Sequence, residues 1–246
     1  MVKLFFRSIY RYVRVGLVML VTIPPIFFLL LVTPDLCRCK NCFLFTLLDW
    51  WYRALLWAIA TPLKVEGLKN LPRGNAIFVA NHQSTLDLLM VGSLMRKHPH
   101  IWYALTYHAK KPVLGFFMRK LTIPLERERA AGAARDFLRS MRSLSSLPCH
   151  IIIFPEGTRF ADGKLHTFLR GFAILTRRAE RPVIPVYMPY NSLVYPPQTF
   201  WVYDHPLRMI VGEPIKLREG ESDKEFTERV RQWFLDQEAL IQKTEG

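Results

Sequence analysis

Asn81-His82-Gln83-Ser84-Thr85-Leu86-Asp87 stands between two apolar runs of different period, and that junction decides the fold. Before it, Ala76-Ile77-Phe78-Val79-Ala80 is short and continuous, as expected of a buried strand. After it, Leu86, Leu88, Leu89, Met90 and Leu94 recur with helical spacing. A strand turning at once into a helix is the unit from which an α/β layer is built. The turn carries the polar residues. Ser84 or Thr85 can cap the helix, and Asp87 falls in its first turn, where the helix dipole favours a carboxylate.

Five residues of continuous helix turn a side chain by about 140°, so His82 and Asp87 do not share a helical face. With His82 in the turn ahead of the helix, Asp87 can reach back to one ring nitrogen, leaving the other as a base for a hydroxyl. No Gly-x-Ser-x-Gly elbow occurs, so no covalent serine nucleophile is expected. Taken alone, the same spacing also describes a capped helix with a surface His.

The 246 residues are half hydrophobic and carry a formal charge of +14. One globular domain with an appendage fits that length. The charge points to an anionic partner. No zinc-finger or RNA-binding signature is present, which excludes nucleic acid as the expected partner. The N-terminus points instead to anionic membrane lipids. Lys3, Arg7, Arg11 and Arg14 stand among Phe and Tyr, and Val15 to Thr33 carries no charge, about enough to cross a bilayer as one helix. Pro24-Pro25 is expected to kink or break that helix. A signal peptide is the competing reading, but no small-residue cleavage site follows. Phe43 to Ala60 predicts a second apolar helix with Trp50, Trp51 and Trp57 as interfacial anchors. Residues 1–61 thus form an expected membrane-embedded hairpin, and whether it spans the bilayer or lies in one leaflet stays open. Cys37, Cys39 and Cys42 crowd the loop between the helices, with Cys149 far away. That spacing suits reduced thiols better than a disulfide framework, and a zinc site lacks a nearby fourth ligand. Neither metal nor cofactor is expected.

From residue 62 the pattern changes to alternating short strands and helices, which predicts an α/β domain over 62–246 with a mixed sheet flanked by helices. Strands are expected at 64–66, 76–80, 101–105, 121–125, 150–154 and 183–187, and a hairpin from 201–203 and 208–212. A helix is expected over 127–147, with Arg135, Arg139 and Arg142 on one face, either solvated or docked to an acidic surface. Ser222-Asp223-Lys224-Glu225 is a capping box that opens a terminal helix with an apolar stripe at Phe226, Val230, Trp233, Phe234, Leu240 and Ile241. After the strand at 150–154 comes Phe154-Pro155-Glu156-Gly157-Thr158-Arg159. An Arg, a hydroxyl and backbone N–H groups beyond a strand's C-terminus suit a phosphate. Alone, this too could be a surface turn with a Glu–Arg pair.

Together, Asn81-His82-x4-Asp87 and Phe154-Pro155-Glu156-Gly157-Thr158-Arg159, in that order, resemble the glycerolipid acyltransferases, in particular the 1-acyl-glycerol-3-phosphate acyltransferases. Thr122-Ile123-Pro124-Leu125-Glu126-Arg127, Val183-Ile184-Pro185-Val186 and Val211-Gly212-Glu213-Pro214-Ile215 agree more weakly, so the resemblance covers residues 62–217. It implies acyl transfer from acyl-CoA or acyl-carrier protein to the free hydroxyl of a lysolipid acceptor, giving phosphatidic acid, at a bacterial inner membrane with the catalytic domain on the cytoplasmic face. It casts His82 as general base and Asp87 as its orienting partner. Glu156, Gly157, Thr158, Arg159, Arg127 and Asn81 would bind substrate. The sequence departs from the family at Leu125-Glu126, at Phe160 and at Phe168-Leu169-Arg170-Gly171. These departures keep other acceptors open, such as a lyso-amino-acid lipid or another lysophospholipid, and a non-catalytic lipid-binding protein is the alternative from a different class.

Overall fold

The computed structural model describes residues 1–34, 39–105, 112–125, 142–143, 145–160 and 162–245. Helix α1 (Val2–Val32) runs unbroken through Pro24 and Pro25. The two prolines remove the amide donors that the carbonyls a turn earlier would use. Packing just beyond them holds the helix nonetheless. Ile26 and Leu30 are buried in the core, and the Phe27 ring lies 4.7 Å from that of Phe116. Tertiary contact thus overrides the local penalty that predicted a break. A helix of this length measures about 46 Å. Helix α2 (Cys42–Ile59) folds back against α1. Asn41 caps it by accepting from the Leu44 amide at 3.0 Å and ties it to α1 by donating to Thr33 Oγ1 at 2.8 Å. Its one acid, Asp49, is buried and accepts from Arg53 Nε at 3.0 Å.

Among the described residues seven strands follow: β1 (Leu63–Glu66), β2 (Ile77–Ala80), β3 (His100–Leu105), β4 (Thr122–Leu125), β5 (His150–Ile153), β6 (Val183–Tyr187) and β7 (Leu207–Val211). They form one sheet in the order β1-β7-β6-β2-β5-β3-β4. Every pairing is parallel except β6 with β7, so the sheet is mixed. The central strands β2, β5 and β6 are buried on both faces, which explains their continuous rather than alternating apolar runs.

One face packs against α1, α2 and α3 (Leu86–Leu94). The other packs against α5 (Gly171–Ala179) and α7 (Asp223–Glu245), while α4 (Pro112–Leu121) and the short α6 (Asn191–Val194) lie between strands in sequence. The capping box of α7 forms as expected: the Ser222 amide donates to Glu225 Oε2 at 2.8 Å, and the Glu225 amide to Ser222 Oγ at 3.2 Å. Phe226, Val230, Phe234 and Ile241 are buried, whereas Leu240, assigned to the same stripe, is exposed.

The expected hairpin at 201–212 does not form. Residues 201–206 are irregular, and β7 pairs with β6 and β1 instead. The reason lies in α1. The Val202 amide donates to Ser8 Oγ at 3.2 Å, the Val202 carbonyl accepts from Arg11 Nη1 at 2.6 Å, and Asp204 takes ion pairs from Arg7 and Arg11. Side chains of the N-terminal helix therefore use the backbone groups that a partner strand would have used. Cys39, just ahead of α2, packs against the core cluster containing Cys149. Cys42 is exposed and Cys149 buried, while Cys37, Arg135, Arg139 and most of the helix expected over 127–147 lie outside the described residues.

Candidate active site

Three neighbouring strands end at one place. β2 ends at Ala80, β5 at Ile153 and β6 at Tyr187, and each runs into a turn at its C-terminal end, where α/β sheets bind ligands. The β2 and β6 turns are clamped by Asn81. Its side-chain amide donates to the Met188 carbonyl at 2.9 Å and accepts from the Met188 amide at 2.8 Å. Both ends of that side chain are thus used on the neighbouring strand.

The turn after β2 is shaped by Asp87. Its Oδ2 accepts from His82 Nδ1 at 2.9 Å, from the Gln83 amide at 2.6 Å and from the Ser84 amide at 2.9 Å. The carboxylate in the first turn of α3 therefore closes the loop that presents His82. No side-chain cap forms from Thr85, which occupies the N-cap position. Ser84 Oγ instead accepts a long bond from the Leu86 amide and donates to the Tyr195 carbonyl at 2.9 Å. The Asp87 side chain is 1% exposed and that of His82 14%, so the imidazole can be reached by a ligand and the carboxylate cannot. Nδ1 faces Asp87, and Nε2 makes no hydrogen bond among the described residues. The imidazole lies flat on Phe154, with centroids 4.0 Å apart and planes 10° apart. Phe154 in turn lies against Trp102.

The turn after β5 grips the same segment from below. Glu156 Oε1 accepts from the His82 amide at 2.9 Å, and the His82 carbonyl accepts from the Phe160 amide at 3.1 Å. Glu156 is buried, and its Oε2 has no hydrogen-bond partner among the described residues. Burial pushes its carboxyl up to about 7, against the opposing pull of the His82 amide. Gly157 adopts φ +72°, a backbone conformation that favours glycine in this turn. Thr158 and Arg159 are exposed at its tip. Arg159 Nη1 donates to Thr85 Oγ1 at 2.6 Å, which brings the guanidinium onto the His82 turn. Of the residues singled out from sequence, Asn81, His82, Asp87, Glu156, Gly157, Thr158 and Arg159 come together here, and Arg127 lies outside the described residues.

Two further residues belong to this constellation. Phe154 carries the imidazole; its position just before the Pro-Glu-Gly-Thr-Arg run was the available signal. Asn191, at the start of α6, donates from Nδ2 to Asp87 Oδ1 at 2.9 Å, and no feature of the sequence marks it.

At the end of a mixed α/β sheet, an accessible His–Asp pair thus lies beside an arginine that the neighbouring β5 turn brings onto it. The model of the acyltransferase family matches residues 62–189, more than half of the chain, and the protein belongs to that family. The chain is 28% identical to the 1-acyl-sn-glycerol-3-phosphate acyltransferase of Limnanthes douglasii, over 69% of this chain and 60% of that one. It is 24% identical to the enzyme of the same description from Pseudomonas aeruginosa, over 78% and 76% respectively. The crystal structure of the 1-acyl-sn-glycerophosphate acyltransferase from Thermotoga maritima shares the fold, with a TM-score of 0.79 at 21% identity, over 98% of this chain and 97% of that one. The chain spans about 60% of the length of the plant relatives it matches.

Proposed function

We propose that this protein transfers an acyl group from a thioester, acyl-CoA or acyl-carrier protein, to the sn-2 hydroxyl of 1-acyl-glycerol-3-phosphate, giving phosphatidic acid. The observation that carries the reading is the His82–Asp87 bond with Nε2 left open, on a turn that Arg159 also touches. The names of the relatives supply the acceptor.

In this reading Nε2 of His82 removes the proton of the acceptor hydroxyl as its oxygen forms a bond to the thioester carbonyl carbon. Asp87 holds the tautomer and stabilises the imidazolium. The tetrahedral intermediate collapses by breaking the C–S bond. The leaving thiolate, with a pKa near 8.5, then takes the proton back from the imidazolium. Arg159 and Thr158 hold the acceptor phosphate with the Gly157 backbone, and Arg127 is assigned to the same head group by the resemblance. Glu156 and Asn81 shape the two turns from within.

The two N-terminal helices serve as the membrane attachment, and we place both in one leaflet. Ser8 and Arg11 bind residues 202 and 204, while Ile26 and Leu30 are buried in the domain core. These two contacts lie about 22–33 Å apart along α1, against a bilayer core roughly 30 Å thick. A crossing helix would carry the attached domain through the membrane with it. The outward face, which includes Phe6, Leu17, Leu20, Val21, Phe28, Trp50 and Trp57, is left for lipid.

Purified protein in detergent, given labelled acyl-CoA, acyl-carrier protein thioester and a panel of lysolipids, tests the reaction. The expected product is phosphatidic acid with one free thiol per turnover. No transfer to any acceptor refutes the enzyme reading, and transfer only to a phosphate-free or amino-acid lysolipid reassigns the acceptor. A variant retaining Cys42 alone, in vesicles with the domain outside, is expected to react there with an impermeant maleimide. Protection until the vesicles are lysed overturns the one-leaflet placement.

A further inference from the structure

We infer that Asn191 is a positioning residue for the reaction, holding the carboxylate of Asp87 so that its charge and its Nδ1 bond are directed at His82; this rests on the function proposed above. Asp87 is completely buried, and its four contacts divide unequally. Oδ2 accepts three N–H groups, all from its own turn, whereas Oδ1 accepts a single one, from Asn191 Nδ2 at 2.9 Å. That single bond is the one that comes from another strand's turn, 104 residues away in sequence. Without it, the carboxylate would be free to swing about the Oδ2 contacts and out of line with the imidazole.

Asn191 is itself 0% exposed, and its Oδ1 has no partner among the described residues. A buried amide oxygen without a donor costs about 1–3 kcal/mol, so this side chain is not satisfied by its surroundings as an ordinary structural Asn would be. Its orientation is fixed by electrostatics: turned over, the amide oxygen would face a carboxylate oxygen. Among the described residues, its side chain bonds to Asp87 alone. The segment that carries it is anchored on the catalytic turn a second time, because the Tyr195 carbonyl accepts from Ser84 Oγ.

The groups around the pair set what a change at Asn191 does. Glu156 reaches it from the β5 turn, Arg159 from the same turn through Thr85, and the charge of His166 is felt at Glu156. Removing the amide donor leaves Oδ1 without a partner and lets the carboxylate turn out of line with the imidazole. A carboxyl in its place lies against Oδ1 in a buried site, where two carboxylates within hydrogen-bond distance do not both ionise. It keeps its proton and donates it to Asp87 as the amide does.

The experiment compares wild type with N191L, which keeps the shape without the donor, and N191D. It uses the full chain in detergent, oleoyl-CoA and 1-acyl-glycerol-3-phosphate, with thiol release as the readout and a thermal melt for each variant. For N191L we expect kcat to fall by about 10- to 100-fold with the acceptor KM within about twofold, as for a lost orienting contact. For N191D we expect kcat to return to within about threefold of wild type, since its protonated carboxyl restores the donor. If N191L does not fold, N191A is read in its place. A native kcat for the donorless variant, or an N191D no faster than it, overturns the positioning role. A wild type without any transfer would instead refute the proposed function.

Discussion

The imidazole of His82 is stacked face to face on the ring of Phe154, with centroids 4.0 Å apart. The His is thus held at one edge by a carboxylate and across its face by a hydrocarbon ring, which together fix both its rotation and its tilt. An aromatic pair is worth about 0.5–1.5 kcal/mol beyond the area it buries. F154L keeps most of the bulk and loses the flat support, and is expected to lower kcat by about 2- to 10-fold. F154Y should stay within about twofold of wild type on the same ground. Steady-state thiol release from both variants checks this, and an F154L enzyme as fast as wild type removes the stack from the mechanism.

His82 and Asp87 differ in what else depends on them. Loss of the imidazole removes the proposed base but leaves the turn closed, because Gln83 and Ser84 still donate to Asp87. H82A is expected to lose about 10²–10⁴-fold in rate while remaining folded. D87A leaves the amides of Gln83 and Ser84 and the Asn191 Nδ2 without an acceptor in a buried site. Each orphaned donor costs about 1–3 kcal/mol, and a chain of this size loses about 2–4 °C of Tm per kcal/mol. Melting curves should therefore place D87A well below H82A. Equal Tm values would mean that Asp87 does not build the turn.

That pair was legible in the sequence because it is local. Strand, turn and helix follow each other within a dozen residues, and the change of apolar period marks the junction where His82 must sit. The Gly157 turn was legible for a similar reason. Asn191 was not, since a lone Asn after a strand is commonplace and its partner is 104 residues away. Pro24-Pro25 misled because a backbone penalty is visible locally and the packing of Ile26, Leu30 and Phe27 that overcomes it is not. Trp201-Val202-Tyr203 read as a strand because strand-like composition records half-burial, and here the burial comes from a helix that hydrogen-bonds it.

Glu156 gives the fold a measurable pH dependence. Burial raises its carboxyl from 4.5 to about 7, so the folded state binds this proton more tightly than the unfolded chain does. The sign follows: the contribution is fully present below pH 4.5 and is lost as pH rises through about 7. His100 and His150, buried near the other end of the sheet, work oppositely. Burial lowers them to about 4 and about 3, so their stabilisation is present above pH 6.5 and is lost as pH falls through those values. The two effects overlap, and a difference measurement separates them. E156Q keeps an acceptor for the His82 amide and cannot titrate. Relative to wild type it should gain stability on going from pH 5 to pH 8, by up to a few kcal/mol, since each tenfold difference in proton affinity between the folded and unfolded chain is worth about 1.4 kcal/mol. Urea midpoints of both proteins across that range test it, and parallel curves would refute a proton on Glu156.

Arg159 is an exposed cation that the β5 turn lays against the His82 turn, and its hold on Thr85 decides where its charge points. A guanidinium keeps one fork on the Thr85 hydroxyl and offers the rest to a phosphate. A charge-assisted hydrogen bond contributes about 1.5–3 kcal/mol when well screened from water, and this one is exposed, so the lower end applies. R159A is expected to raise the KM for 1-acyl-glycerol-3-phosphate by about tenfold, with a smaller change in kcat. T85V leaves the charge but frees its anchor, and should raise the same KM by about two- to threefold. For a monoacylglycerol acceptor, which has no phosphate, R159A should change nothing. Acceptor titrations at fixed acyl-CoA distinguish these cases. An equal loss with both acceptors would show that Arg159 supports the turn and does not read the head group.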